Sequence, residues 1–239
     1  MLKDNYDPNG IMFDFENKKQ RPDRVIRFYK EECSKYEHVI EVGGNHTFYG
    51  DKWHKSIPHI KSLIPDNVHF LEKEIFAIGD TIFIGAILWT DINKGNPISM
   101  NIVESFMTDY SAITYHNTAS NTYYKLKPSV TYDDHFKALA YFRLMCSQHR
   151  DKKIVIVSHH APSHLSIDPV YAGQELNYAY YSDLSDFILD NENIKFWVCG
   201  HTHHSYEYKI GETTVLCNSR GYFGHETQAK NFKLKSFEV

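Results

Sequence analysis

The sequence predicts an α/β protein built on a mixed β-sheet. Short apolar, β-branched runs alternate with amphipathic helical patterns through most of the chain, and paired runs separated by Gly-containing turns come near its end. The length of 239 residues and a hydrophobic content of 42% suit one large domain over 1–239.

The first half of the chain is predicted to start with an irregular, polar segment over 1–23. Asp23 is a candidate cap for the first helix, and Gly79-Asp80 is a candidate hairpin turn. The predicted elements are a helix over 23–36, a strand over 39–42, a helix over 54–63, and strands over 68–71, 75–78 and 82–88.

Residues 90–130 form the least regular part of the sequence, with a short helix over 102–110 and a polar, tyrosine-bearing segment over 117–127. This region is either a lid or specificity insert, or an ordinary surface loop.

A long helix follows over 131–149, with Thr131 as a candidate cap. Its predicted apolar side consists of Phe136, Leu139, Phe142, Met145 and Cys146. The remaining predicted elements are a strand over 154–157, a helix over 183–189, strands over 196–199, 206–210 and 213–216, and a last strand over 232–239.

Composition excludes several classes of protein. The net charge of -4 and the pI near 6.4 disfavour a broadly basic nucleic-acid binder, although a local basic patch stays open. No apolar run approaches the roughly 20 residues that cross a bilayer, and the first residues do not resemble a signal peptide. The four cysteines lack C-x-x-C spacing, so we expect buried thiols in a cytoplasmic protein without a membrane partner.

Three short segments carry the chemistry: Gly43-Gly44-Asn45-His46, Ser158-His159-His160-Ala161-Pro162 and Gly200-His201-Thr202-His203. Each follows an apolar run, so each is predicted to be a loop at the end of a strand. The carboxyl ends of strands form the ligand-binding rim of an open α/β sheet, so one Asn and five His should meet there. Neutral imidazoles and an amide oxygen suit a transition-metal site.

The ordered set GNH, HH-x-P and GHTH resembles the calcineurin-like metallophosphoesterases, in particular a bacterial and phage branch of that superfamily. The resemblance extends from about Arg24 to the C-terminus and includes Leu88-Trp89-Thr90-Asp91 and the segment around Asn218. It implies two packed mixed β-sheets flanked by helices. It also implies hydrolysis of phosphate esters by two divalent ions, Mn, Fe or Zn, with a bridging hydroxide.

The resemblance also implies a role for each residue of the motifs. Asn45, His159 and His201 match ligands of the second metal, and His203 matches a ligand of the first. His46 matches the general acid that protonates the leaving alkoxide, or else it is a packed histidine behind the ligands.

Three further residues are candidates for binding substrate. His160 either touches phosphate or orients a ligand, or it makes a structural hydrogen bond. Asn218 and Arg220 lie at a late strand end. The guanidinium group of Arg220 suits a bidentate contact with phosphate, and the alternative role of Arg220 is a structural salt bridge.

The chain departs from the family pattern at its N-terminus. The family begins with a strand ending in Asp-x-His and a second ending in Gly-Asp, and neither is found before Gly43. Asp133-Asp134-His135 lies in a predicted helix, Gly79-Asp80 lies in a hairpin turn, and Asp14 is only a faint candidate. A smaller departure is Thr47, which stands where Asp or Glu usually follows the motif.

These departures lead us to expect that one metal ion, rather than two, binds to this chain. The missing strands are explained by a sequence that begins internally, by a partner chain or segment that supplies them, or by a lineage that lost activity.

The expected function is a phosphatase acting on a small-molecule phosphoester or a phosphoprotein. The first alternative is a phosphodiesterase or nuclease of the same superfamily, which the acidic balance disfavours for long nucleic acids. The second is an inactive scaffold that keeps the fold as a binding surface. The sequence leaves the oligomeric state open.

Overall fold

The computed structural model describes residues 21–222 and 225–239. Most of the irregular segment predicted over 1–23, together with Asp14, lies outside these residues. The first helix begins at Arg21, so Asp23 lies inside it rather than capping it.

The described residues form the predicted α/β fold, with a six-stranded mixed sheet as its centre. The sheet has the order β3-β4-β7-β8-β10-β9, in which β4, β7, β8 and β10 are parallel and both edge strands are antiparallel to their neighbours. The parallel pair β1-β2 and the antiparallel pair β5-β6 are separate sheets. The strands are β1 (Val39–Glu41), β2 (Val68–Phe70), β3 (Glu74–Ile78), β4 (Thr81–Ala86), β5 (Thr114–Asn117), β6 (Thr122–Lys125), β7 (Lys153–Ser158), β8 (Ile194–Cys199), β9 (Tyr206–Ile210) and β10 (Thr213–Cys217).

Helices flank these sheets. They are α1 (Arg21–Glu31), α2 (Trp53–Lys61), α3 (Pro97–Phe106), α4 (Asp109–Ala112), α5 (Pro128–Gln148), α6 (Ser185–Leu189) and α7 (Thr227–Lys230). A further short helical turn, Ile92–Gly95, contains residues with positive φ.

The main core lies between the central sheet and helices α5 and α6. Phe142 and Phe187 each make an edge-to-face contact with the buried ring of Trp197, at centroid distances of 5.9 and 6.2 Å. A second core lies beneath the region 87–126 and includes Trp89, Ile113 and Leu126. The region 90–130 is therefore a packed part of the fold and not only a surface loop.

The sheet pair β1-β2 packs against the central sheet at Gly85 of β4. A Cβ on Gly85 would lie 2.4 Å from Leu71 Cβ and 2.9 Å from Val42 Cγ1, so this position has no space for a larger residue. The close approach places the end of β1 beside the ends of β4 and β7.

Besides the cap at Asp23, four sequence predictions are corrected by the structure. Residues 114–125 form the hairpin β5-β6, whose turn is stabilised by Asn117 Oδ1 accepting from Ala119 N and Ser120 N. Helix α5 begins at Pro128 with Lys127 as its N-cap, so Thr131 lies inside it. Phe136 is 44% exposed and does not belong to the apolar side.

The fourth correction concerns residues 232–239, which form no strand although their apolar and polar residues alternate. The alternation reflects local packing instead, since Phe237 stacks on Phe196 at 4.5 Å while the backbone pairs with neither edge of the sheet.

Across the described residues, none of the helices combines the length and the apolar character that a bilayer span requires. The cytoplasmic location stays a prediction.

Replacing Phe142 by Ala should destabilise the fold by about 3–5 kcal/mol, because the side chain is fully buried and its loss leaves a cavity against Trp197. Phe136→Ala, on the same helix, is the matched control and should cost less than about 1 kcal/mol. Urea unfolding followed by circular dichroism measures both. Equal losses would show that the assignment of the buried face of α5 is wrong.

Candidate metal centre

The three motifs of the sequence meet at one place. Strands β7 and β8 are parallel neighbours, so the loops that follow them lie side by side, and Gly200 N donates to the carbonyl of His159 at 3.0 Å. The loop after β1 turns into a short 3-10 helix, Asn45–Phe48, which brings Asn45 to the same point.

Three donor atoms converge there. Asn45 Oδ1 lies 3.0 Å from His159 Nε2, and His201 Nδ1 lies 3.1 Å from the same nitrogen. Ligands held about 2.0–2.2 Å from one ion are roughly 3 Å apart, so this spacing fits one shared cation.

The proton count at this point also favours a cation. His159 Nε2 carries at most one proton but contacts both Asn45 Oδ1 and His201 Nδ1. Either one N–H is shared between these two contacts, or two lone pairs face each other. The outer nitrogens, His159 Nδ1 and His201 Nε2, are buried and without hydrogen-bond partners. A metal ion would use the three converging lone pairs, so these residues fit the cofactor that the resemblance implies.

Burial keeps both imidazoles neutral. Desolvation, followed by the neighbouring His160, holds the pKa of His159 and of His201 well below the usual value for histidine. Neutral imidazole is the form that binds metals.

The backbone around these ligands is unusual. His201 and His203 have φ of 64° and 50°, a region that non-glycine residues seldom adopt and that recurs at functional sites. Gly44 lies against the imidazole of His159, where a Cβ would come within 2.7 Å of Cε1. Thr47, which replaces the usual acidic residue, accepts from Gly44 N at 3.0 Å and thereby holds this turn.

His203 lies slightly apart from the three converging atoms. Its Nδ1 pairs with Glu226 Oε1 at 2.9 Å, and its ring makes an edge-to-face contact with Tyr222 at 4.5 Å. Glu226 had no signal in the sequence because it belongs to no motif and lies 23 residues from its partner.

His46 borders the same cavity and is half-buried. Its ring lies 4.3 Å from the ring of Tyr49, and it is close enough to lower the pKa of His159 and His201. The position is compatible with a proton donor facing bound substrate.

The three predicted substrate-binding residues lie outside the described cavity lining. His160 is 2% exposed, and its Nδ1 lies 3.3 Å from the carbonyl of Ile87, as a structural hydrogen bond requires. The same burial lowers the pKa of His160 to about 3. Asn218 Nδ2 donates to the carbonyl of Lys233, and Arg220 is half-buried beyond the cavity.

Sequence reasoning missed Asp109, a carboxylate at the edge of the site. Asp109 is 1% exposed, and the polar side chains of Asn45 and Tyr49 lie beside its carboxylate. Burial raises its pKa, and the neighbouring side chains of Asn45, His46 and Tyr49 offset only part of that effect. A single Asp in a four-residue helix carries no sequence signal, so only the fold reveals it.

The other acidic candidates from the sequence lie elsewhere. Asp80 pairs with Lys152 at 2.8 Å in the β3-β4 hairpin, Asp134 pairs with Lys73 at 3.1 Å, and His135 Nδ1 contacts the carbonyl of Trp89. Within 21–222 and 225–239, no group of three or more His, Cys, Asp or Glu side chains is arranged to hold an ion. His159 and His201 form a group of three possible ligands only when the amide oxygen of Asn45 is counted with them.

The site opens into a cavity of about 480 Å³. Its described lining residues are Asn45, His46, Tyr49, Phe106, Met107, Thr108, Asp109, His159, Ile167, Asp168, Tyr171, Gln174, Leu176, Asn177, Tyr180, His201, Thr202, His203, Tyr222 and Glu226.

Replacing Gly44 by Ala should weaken Mn²⁺ binding by roughly tenfold or more, because the added methyl group forces the His159 ring out of place. Isothermal titration with Mn²⁺ measures the change. Gly43→Ala is the matched control, since its methyl group would come no closer than 3.3 Å to Phe70. Equal Mn²⁺ affinities for the two folded variants would contradict the assignment of His159 as a ligand.

Known proteins resemble this chain in sequence and in fold. The model of the calcineurin-like phosphoesterase family matches residues 3–205. "Uncharacterized protein L509" of Acanthamoeba polyphaga mimivirus is 28% identical over 222 residues, which cover 84% of this chain and 74% of that protein.

A solved structure shares the fold at low sequence identity. The crystal structure of phosphopantetheinyl hydrolase (PptH) from Mycobacterium tuberculosis aligns with a TM-score of 0.62 and 13% identity, over 91% of this chain and 78% of that one. Since the family model matches most of the sequence, including all three strand-end motifs, the chain belongs to the calcineurin-like phosphoesterase family.

Proposed function

We propose that this protein is a metal-dependent phosphatase that hydrolyses small-molecule phosphate esters. The observation that carries the proposal is the convergence of Asn45 Oδ1, His159 Nε2 and His201 Nδ1 at the bottom of a cavity. Three neutral donors at this spacing serve a divalent ion, and the family to which the chain belongs is hydrolytic.

Asn45, His159 and His201 would hold one ion, with Mn, Fe and Zn all compatible with nitrogen and amide-oxygen donors. His203 would face a second ion if one binds, with Glu226 fixing its imidazole. When bound, divalent ions would neutralise charge on the phosphoryl oxygens and lower the pKa of water at the site.

We assign His46 the role of general acid. It borders the cavity, and its ring contacts that of Tyr49. A proton on its imidazole would pass to the oxygen of the leaving alcohol.

Asp109 is proposed to supply the negative charge that the ligands lack. Asn45, His159, His201 and His203 are all neutral donors, and a buried divalent ion requires a compensating charge. The carboxylate of Asp109 is buried, lies beside the side chain of Asn45 and borders the same cavity. An ion nearby would favour its charged form.

The structure gives less support to the two alternative functions, a nuclease and an inactive scaffold. A nuclease needs cationic side chains along a groove, and the described cavity lining contains neither Lys nor Arg. The inactive scaffold is favoured only by the incomplete acidic ligand set among the described residues. Activity measurements decide between it and the phosphatase.

Purified protein supplied with Mn²⁺ should hydrolyse an aryl phosphate, and chelation of the metal should abolish the activity. His159→Ala should lower both the turnover and the Mn²⁺ content, because the variant loses the nitrogen that contacts both of the other proposed ligands, Asn45 and His201. His59→Ala, which changes an exposed histidine, is the control. Failure to hydrolyse any phosphate ester with Mn²⁺, Fe²⁺ or Zn²⁺ would reject the phosphatase in favour of the scaffold.

Asp109→Asn should lower Mn²⁺ affinity by about 10–100-fold, the effect typical of residues that support metal ligands. Titration calorimetry measures it, and circular dichroism checks the fold. Asp133→Asn removes the same charge from an exposed position and should leave the affinity unchanged. If both variants bind Mn²⁺ like the parent protein, Asp109 does not balance the charge of the metal.

A further inference from the structure

The cavity has two walls of different chemistry. The polar wall comes from the strand-end loops and carries the histidines described above. The rest of the lining comes from the end of α3 and the long loop after β7, where the polar residues Thr108, Asp168, Gln174 and Asn177 are interspersed with apolar and aromatic ones. We call these apolar and aromatic residues the apolar wall: Phe106, Met107, Ile167, Tyr171, Leu176 and Tyr180.

Two aromatic rings of the apolar wall are strongly exposed. Phe106 is the last residue of α3 and is 72% exposed, and Tyr171 is 53% exposed. Tyr171 is fixed by its backbone, since its carbonyl accepts from Asn177 Nδ2 at 2.7 Å and from Gln174 N at 3.2 Å. Exposed aromatic rings at the edge of a cavity gain free energy when an apolar group covers them.

The apolar wall reaches the metal ligands themselves. The ring of Tyr180 stacks on the imidazole of His201, with centroids 4.7 Å apart and planes 30° apart. A ligand whose phosphoryl group faces His201 would therefore place its next few atoms against Tyr180 and the wall beyond it.

The charges of the lining limit what else can bind. None of its described residues is Lys or Arg, whereas Asp109, Asp168 and Glu226 are acidic. Second phosphates and carboxylates are usually recognised by Arg or Lys, and here they would face carboxylates instead. The negative charge of a ligand is therefore best confined to the one group that faces the histidines.

We propose that the substrate is a small phosphate ester with a single phosphoryl group and an apolar or aromatic leaving alcohol, which packs against Phe106, Tyr171 and Tyr180. The cavity volume of about 480 Å³ suits a small molecule of this kind. This inference rests on the proposed phosphatase function.

The first experiment compares three esters whose alcohols have similar acidity: 2-phenylethyl phosphate, ethyl phosphate and propane-1,3-diol bisphosphate. With Mn²⁺ supplied, kcat/KM for the phenylethyl ester should exceed that for the ethyl ester by roughly tenfold or more, because burial of a phenyl ring adds that much binding. The bisphosphate should be the poorest substrate. Equal values for the first two esters, or a preference for the bisphosphate, would overturn the proposal.

Variants of the apolar wall identify where the ring binds. Phe106→Ala and Tyr171→Ala should each lower kcat/KM for the phenylethyl ester more than for the ethyl ester, so that the advantage of the phenylethyl ester falls by roughly three- to tenfold. Ile98→Ala on the same helix and Val170→Ala beside Tyr171 remove exposed apolar side chains outside the cavity lining, and they serve as matched controls. An advantage that survives in both wall variants would overturn the proposed location.

A binding measurement separates this inference from the proposed function. Calorimetry with 3-phenylpropylphosphonate and propylphosphonate, in the presence of Mn²⁺, reports on the wall without requiring hydrolysis. If no ester is hydrolysed but the phenyl compound binds roughly tenfold more tightly, the phosphatase function fails and the apolar ligand class stands. Equal affinities would overturn the ligand class even in an active enzyme.

Discussion

The placement of three lone pairs in one buried space is the constraint on which the rest of the site depends. Asn45 Oδ1 and His201 Nδ1 lie 3.0 and 3.1 Å from His159 Nε2, although the three residues come from three separate loops. Such an arrangement is unfavourable without a cation, because the single proton that His159 Nε2 can carry does not satisfy both of its close contacts. The fold maintains it through the close approach of Gly44 to His159 and the positive φ of His201.

The region between β4 and α5 completes the cavity that these ligands begin. Its own core, around Trp89 and Ile113, holds the segment rigidly against the strand ends. This packing places Asp109 beside the metal ligands and Phe106 at the cavity edge. The proposed charge balance and part of the proposed leaving-group contact thus fall in one packed unit, whereas the proposed metal ligands belong to the strand-end loops.

Acidic groups are distributed differently from the family pattern that the sequence resembles. Within the described residues, the carboxylates that border the cavity are Asp109, Asp168 and Glu226, and none belongs to an Asp-x-His or Gly-Asp motif. Asp80 and Asp134 are engaged by lysines far from the ligands. The carboxylates that border the cavity therefore come from positions that are distant in sequence and share only the cavity.

The sequence by itself determined eight of the ten strands, the order of the motifs and the convergence of Asn45, His159 and His201, because each motif follows an apolar run and strand ends meet at one rim. It did not determine Asp109 or the pairing of Glu226 with His203, since such contacts join residues that no local pattern relates. Helix periodicity also predicted Phe136 on the buried side of α5, whereas its side chain is exposed. Tertiary packing decided these points because burial depends on which surfaces meet, and local periodicity carries no information about the partner.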